Sequence, residues 1–249
     1  MLQGIYEFIK SIFAPIGDFF IGSLVPVGSS FASDIDSLIA LVAVFVGFWG
    51  LLAYIAFFFL IFRFRRKDGQ RAKYVTGEEK DLKRWISWPH AAIIVCDVVI
   101  VFMAIMVWYN IKQQLPDADA TVRIVSQQWA WNFIHPGPDG VLDTDDDINA
   151  FNELHVQEGM VYHYELVSKD VLHDFSVPVF RLKQDAIPGR IMKGWFKPTI
   201  NGTYDIQCAE MCGVGHGIMG ARIIIETPEE HAAWMSQNKG KQLASATTR

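Results

Sequence analysis

Two stretches of the chain are almost free of polar side chains. Residues 37–62 carry no Asp, Glu, Lys or Arg, and residues 89–111 carry one charge, Asp97. A helix rises 1.5 Å per residue, so roughly 20 apolar residues cross a bilayer core. Both stretches therefore predict transmembrane helices. Upstream, residues 1–27 place apolar side chains at Ile5, Phe8, Ile9, Ile12, Phe13, Ile16, Phe19 and Phe20, interrupted by Glu7, Lys10 and Asp18. That spacing marks one face of a helix and predicts an amphipathic segment in the outer membrane interface, kinked at Pro15. A divergent signal sequence is the competing reading.

From Thr121 onward the period changes. Short β-rich runs at 121–126, 153–156, 161–167, 203–207 and 221–226 are separated by turn signals such as His135-Pro136-Gly137-Pro138 and Asn201-Gly202. Strands at this spacing predict a β-sandwich or barrel. A helical pattern follows at 228–237, then a polar tail expected to be unfolded. The predicted organisation is an α+β membrane protein. It has an amphipathic segment (1–34), a two-helix hairpin (35–112), an outer β domain (113–237) and a tail (238–249).

Charge orients this arrangement. Between the apolar runs lie Arg63, Arg65, Arg66, Lys67, Arg71, Lys73, Lys80, Lys83 and Arg84, against Asp68, Glu78, Glu79 and Asp81. An excess of Lys and Arg near both membrane ends places that loop in the cytoplasm and the β domain outside. Residues 113–249 hold 18 acidic and 11 basic residues. This surface suits a basic protein partner reached by electrostatic steering, or serves solubility alone, and suits nucleic acid poorly.

Three cysteines are too few for a disulfide framework. Cys96, inside the second apolar run, reads as a small apolar filler. The other two stand in CAEMCGVGHGIM at 208–219, which gathers Cys208, Cys212, His216 and Met219 between two strands; His173 stands upstream beside another. Soft sulfur donors with imidazole select copper, and a weak Met ligand accompanies copper electron-transfer sites. The second Cys allows two sulfurs to bridge two copper ions. A single zinc on His173, Cys208, Cys212 and His216, a tight disulfide, and ordinary domain histidines are the alternatives.

With the further stretches DVLH (170–173), KQDAIPGR (183–190), GWF (194–196), GTY (202–204) and QWAW (128–131), the chain resembles cytochrome c oxidase subunit II over nearly its whole length. The resemblance implies a cupredoxin-like β-barrel behind a transmembrane hairpin. It also implies a dinuclear copper centre held by His173, Cys208, Cys212, His216 and Met219, with the backbone carbonyl of Glu210. The Glu210 carboxylate would reach a magnesium ion at the boundary with a haem-bearing catalytic subunit. Trp129 would be the tryptophan through which electrons arrive from a cytochrome c donor, while Trp131 reads as a core aromatic. The setting would be a bacterial inner membrane, crossed more than once, with the copper domain on the periplasmic side.

Three departures from the family pattern stand out. Ala130 replaces the usual Tyr between the tryptophans, pointing to an apolar contact or a tethered donor. Residues 137–147 form an insertion with Asp139, Asp143, Asp145, Asp146 and Asp147, readable as a solvated acidic loop or a calcium site. Leu82 occupies the place of a glutamate near a proton route; either Asp81 or Glu79 stands in for it, or the catalytic partner takes protons differently. That last change keeps a haem–copper nitric oxide reductase open beside an oxygen-reducing oxidase. Asp97 is expected to face a partner subunit or water, or to bond between the helices. No Cys-x-x-Cys-His occurs, so a separate cytochrome must donate.

Overall fold

A computed structural model describes residues 1–69, 71 and 74–238. The chain opens with α1 (Leu2–Gly17), continued by one π-helical turn through Gly22. The two helices long and apolar enough to cross a membrane are α2 (Ala32–Arg63) and α3 (Lys80–Trp108); together with the π-helical turn Tyr109–Gln113 that extends α3, they encompass both apolar runs. Most of their surface is open and apolar, as lipid-facing helices require. At the start of α3, Glu79 is occupied locally: its carboxylate accepts the backbone N–H groups of Thr76 (3.2 Å) and Gly77 (3.0 Å). Asp97 lines the apolar groove between α2 and α3 and makes no side-chain hydrogen bond among the described residues. In the same groove the Trp49 indole N–H donates to the Cys96 sulfur at 3.5 Å. Cys96 is thus a weak acceptor as well as a filler.

The outer domain has ten strands. The first five are β1 (Ala120–Gln127), β2 (Ala130–His135), β3 (Ile148–Phe151), β4 (Glu153–Gln157) and β5 (Tyr162–Ser168). The rest are β6 (His173–Val177), β7 (Leu182–Ala186), β8 (Met192–Phe196), β9 (Gly202–Cys208) and β10 (Gly220–Glu226). They form two five-stranded sheets, ordered β3-β2-β1-β5-β8 and β4-β10-β9-β6-β7. The pairs β1/β5 and β4/β10 are parallel and the other pairs antiparallel. Trp131, Phe133, Tyr164, Phe175, Phe180 and Phe196, all fully buried, fill the space between the sheets. This is the cupredoxin-like barrel expected, behind two apolar helices.

The runs 121–126, 153–156, 161–167, 203–207 and 221–226 are strands, and α4 (Pro228–Asn238) covers the helix expected at 228–237. Helix α4 is held by Trp234, stacked on His155 at 4.2 Å, and by Glu226, which pairs with Nδ1 of His155 and of His231 at 2.8 Å each. Beneath it, burial pushes the His135 imidazole down to about 3, so that ring stays neutral. The polar tail beyond Asn238 lies outside the described residues.

The barrel is anchored on the hairpin by one buried ion pair. Arg181 donates through Nε and Nη2 to the two oxygens of Asp36, 2.8 Å each, and also to the carbonyls of Val25, Pro26 and Pro178. Asp36 is fully buried and Arg181 nearly so. Removing one member of such a pair leaves a buried charge uncompensated, at about 3–5 kcal/mol. Arg181→Ala should therefore lower the thermal midpoint of the detergent-solubilised full chain markedly. The double replacement Arg181→Met with Asp36→Leu should recover most of the loss. Equal loss in both variants would mean the carbonyl contacts, not the charge pair, hold the joint.

Candidate metal centre

The cluster forms because β6 pairs with β9 so that Phe175 lies opposite Cys208. That register brings His173, at the head of β6, to Cys208, at the end of β9. The loop from Cys208 to Met219 then folds back, with the Cys208 N–H donating to the Met219 carbonyl at 3.2 Å. Cys208 and Cys212 are free, buried thiols whose sulfurs lie 3.7 Å apart. They are therefore not a disulfide, whose sulfurs stand about 2.05 Å apart.

Around the pair the other donors fall on two sides. His173 Nδ1 is 3.9 Å and the Glu210 carbonyl 3.2 Å from the Cys208 sulfur. His216 Nδ1 is 3.8 Å and the Met219 sulfur 3.7 Å from the Cys212 sulfur. His173, Cys208 and Cys212 bring one donor each within 4.8 Å of one another, whereas His216 does not join that group. A single tetrahedral zinc needs all four donors gathered around one point. Two sulfurs flanked by one imidazole each fit two metal ions sharing the sulfurs. Burial, then the neighbouring Cys208 thiol, pushes the Cys212 thiol up to about 11. A soft cation relieves that crowding by taking the place of the protons.

Asp170 and Gln128 hold this arrangement. The His173 Nε2–H donates to Asp170 Oδ1 at 2.8 Å, leaving Nδ1 free toward the thiols. Such a carboxylate fixes a ligand imidazole's tautomer and orientation. The second Asp170 oxygen accepts the Gln128 backbone N–H at 2.6 Å, and the Gln128 side chain donates to the Cys212 carbonyl at 2.7 Å. One strap therefore ties His173 to Cys212. The D-x-x-H spacing at 170–173 is the signal that marks it in sequence.

Trp129 lies on the 208–219 loop, about one-third exposed, with its Nε1–H donating to the Cys212 carbonyl at 3.3 Å. Its ring rests on Gly215, where a Cβ would run into the indole. Trp131 is fully buried against His173 and Phe175, as a core aromatic should be. The surface beside Trp129 is apolar, with Met211, Val214 and Ile218 all exposed.

The acidic insertion leads from β2 to β3, at the opposite end of β2 from Trp129. Five residue steps separate Ala130 from His135, about 17 Å at the usual strand rise. The insertion is therefore poorly placed to steer a donor toward Trp129. Its carboxylates are largely engaged within the protein. Asp143 is bidentate to Arg123, which holds its carboxyl below the usual range. Asp139 accepts the Val141 N–H, Asp146 the Thr144 hydroxyl and Asp147 the Asp143 N–H. Among the described residues the only metal-ligating group of three is His173, Cys208 and Cys212. The geometry thus adds no support for calcium at Asp139–Asp147, nor for magnesium at the exposed Glu210 carboxylate.

The fold and cluster define a membrane-tethered cupredoxin-like protein with a sulfur–imidazole metal site. The sequence profile described as cytochrome C oxidase subunit II, periplasmic domain, matches residues 120–227. The alternative cytochrome c oxidase subunit 2 of Bradyrhizobium diazoefficiens is 35% identical over 204 residues, covering 73% of this chain and 72% of that one. The cytochrome c oxidase subunit 2 of Thermostichus vulcanus is 41% identical over 121 residues, 49% of this chain and 34% of that one. Among solved structures, the periplasmic domain of cytochrome oxidase subunit II from Bradyrhizobium japonicum aligns with a TM-score of 0.45 and 29% identity, covering 50% of this chain and 96% of that one. The chain belongs to the cytochrome c oxidase subunit II family. It is accordingly a membrane protein with a periplasmic domain and a subunit of a haem–copper oxidase complex.

Proposed function

We propose that this chain receives electrons from a cytochrome c at a dinuclear copper centre and passes them to the haem of a catalytic partner subunit. The residues that would hold the copper are His173, Cys208, Glu210 through its carbonyl, Cys212, His216 and Met219. The observation that carries this reading is the pair of buried thiols 3.7 Å apart with one imidazole beside each. When bound, a copper pair would supply a one-electron store. The protein contributes the rest. The β6–β9 register and the Asp170–Gln128 strap hold the donors in place before metal arrives, and the buried aromatics behind His173 keep water away. Rigid donors of this kind lower the reorganisation needed when charge changes. Trp129 presents an exposed ring to the donor and a hydrogen bond to the Cys212 carbonyl, which makes it the place where electrons arrive. Both relatives are named as oxidase subunits, which favours oxygen over nitric oxide as the terminal acceptor.

Electron paramagnetic resonance of the copper-loaded full chain, half-reduced, tests the centre. One electron shared equally by two coppers is expected. The signal of a single isolated copper, or a preparation whose bound metal is mostly zinc, would end the dinuclear reading.

A further inference from the structure

Helix α1 has three faces. Tyr6, Lys10, Phe13 and Gly17 pack on α2. Tyr6 is buried with its hydroxyl donating to Asp34 at 2.8 Å, Lys10 pairs with Asp34, and the Phe13 ring meets Phe45 edge-on at 6.3 Å. Gly17 lets the two helices touch, since a Cβ there would lie 2.7 Å from the Asp36 carbonyl. A second face is polar and exposed: Gln3, Glu7, Ser11 and, two turns on, Asp18, with Gln3 donating to Glu7 at 3.0 Å. The third is apolar and open, with Ile5 46%, Phe8 67%, Ile12 49% and Phe19 70% exposed.

We propose that α1 is a bilayer-surface helix, with Ile5, Phe8, Ile12 and Phe19 seated in the outer leaflet of the membrane that α2 and α3 cross.

The level of α1 on α2 argues for lipid. Asp34 and Asp36, the last charges before the span, are neutralised by Lys10 and Arg181. From Ser37 to Phe62 no charge follows. Helix α1 touches α2 on both sides of that change, at Asp34 and Asp36 and at Phe45, so it lies where water gives way to hydrocarbon. The apolar stripe continues the character of α2 below it, where Ile39, Val44 and Val46 are open. An apolar stripe flanked by a polar one is what holds a helix in the plane of an interface. The polar face carries Glu7 and Asp18 and no cation, so seating depends on apolar burial and not on anionic headgroups. Because Asp36 is also the anchor of Arg181, the depth of α1 sets the height of the barrel, and of the sulfur–imidazole cluster, above the membrane.

Photocrosslinking of the full chain in its native membrane distinguishes the occupants of this face. Benzoylphenylalanine in place of Phe8, and separately of Ile12, should on irradiation yield lipid adducts detectable by mass spectrometry. The same group in place of Glu7, one step round the helix, should yield at least tenfold less. A crosslink from positions 8 and 12 to another polypeptide would overturn the proposal in favour of a protein partner. Lipid yield equal at 7 and 8, or none at 8 and 12, would equally overturn it. Two positions are used so that one misfolded variant does not decide the outcome. Anionic lipid content should leave the yields unchanged.

Discussion

Replacing Cys208 or Cys212 with serine is expected to abolish the two-metal signal, whereas Met219→Leu should keep both ions. The geometry explains the difference. Each thiol sits between its partner sulfur and its own imidazole: Cys208 at 3.7 Å from Cys212 and 3.9 Å from His173, Cys212 at 3.8 Å from His216. A hydroxyl there is harder and a far weaker ligand for copper than a thiolate, so both positions lose a shared donor together. Of the two cysteine sulfurs, the Met219 thioether contacts that of Cys212, at 3.7 Å. A thioether in that role tunes potential more than it holds metal. Bound copper per chain, measured by elemental analysis alongside the resonance spectrum, should fall from two to one or none in the serine variants. It should stay at two in Met219→Leu, with a shifted reduction potential. Retention of two coppers and an unchanged spectrum in Cys212→Ser would remove the sulfur-sharing arrangement altogether.

Trp129→Ala should slow reduction by the donor cytochrome while leaving the copper spectrum intact. The indole is part of the outer surface and meets the 208–219 loop through a hydrogen bond to the Cys212 carbonyl and through ring packing on Gly213 and Gly215, with no metal-facing donor of its own. Truncating a tryptophan at the centre of a docking surface typically costs about 2 kcal/mol or more. At 1.4 kcal/mol per tenfold, that is roughly a 30-fold loss in association. Gly215→Ala supplies an independent check, because the added methyl would displace the ring while every ligand and the tryptophan itself remain. It should reproduce much of the defect in stopped-flow measurements. Unchanged rates in both variants would make Trp129 a structural aromatic. The exposed Met211, Val214 and Ile218 beside it suit an apolar contact, in keeping with Ala130 between the two tryptophans.

The parts of this protein legible from sequence are those whose signal is local. The uncharged run 37–62 and the nearly uncharged run 89–111 mark membrane spans because a bilayer demands about 20 consecutive apolar residues wherever the chain crosses it. The ligand loop is legible because Cys208, Cys212, His216 and Met219 lie within twelve consecutive residues, and few chemistries use that set. The alternating runs at 121–126, 153–156, 161–167, 203–207 and 221–226 are legible as strands. Strands β3, β7 and β8 are not legible from periodicity, since each is defined by pairing with a partner strand. What the tertiary structure alone decided are the relations between distant segments. His173 meets Cys208 across 35 positions through the β6–β9 register, Gln128 meets Cys212 across 84, and Arg181 meets Asp36 across 145. The three-way division of α1 likewise exists only once α2 covers one side. Local periodicity records whether a residue faces an apolar surrounding. It carries no record of which remote segment supplies that surrounding, because pairing depends on register and on burial shared by parts of the chain that are neighbours only after folding.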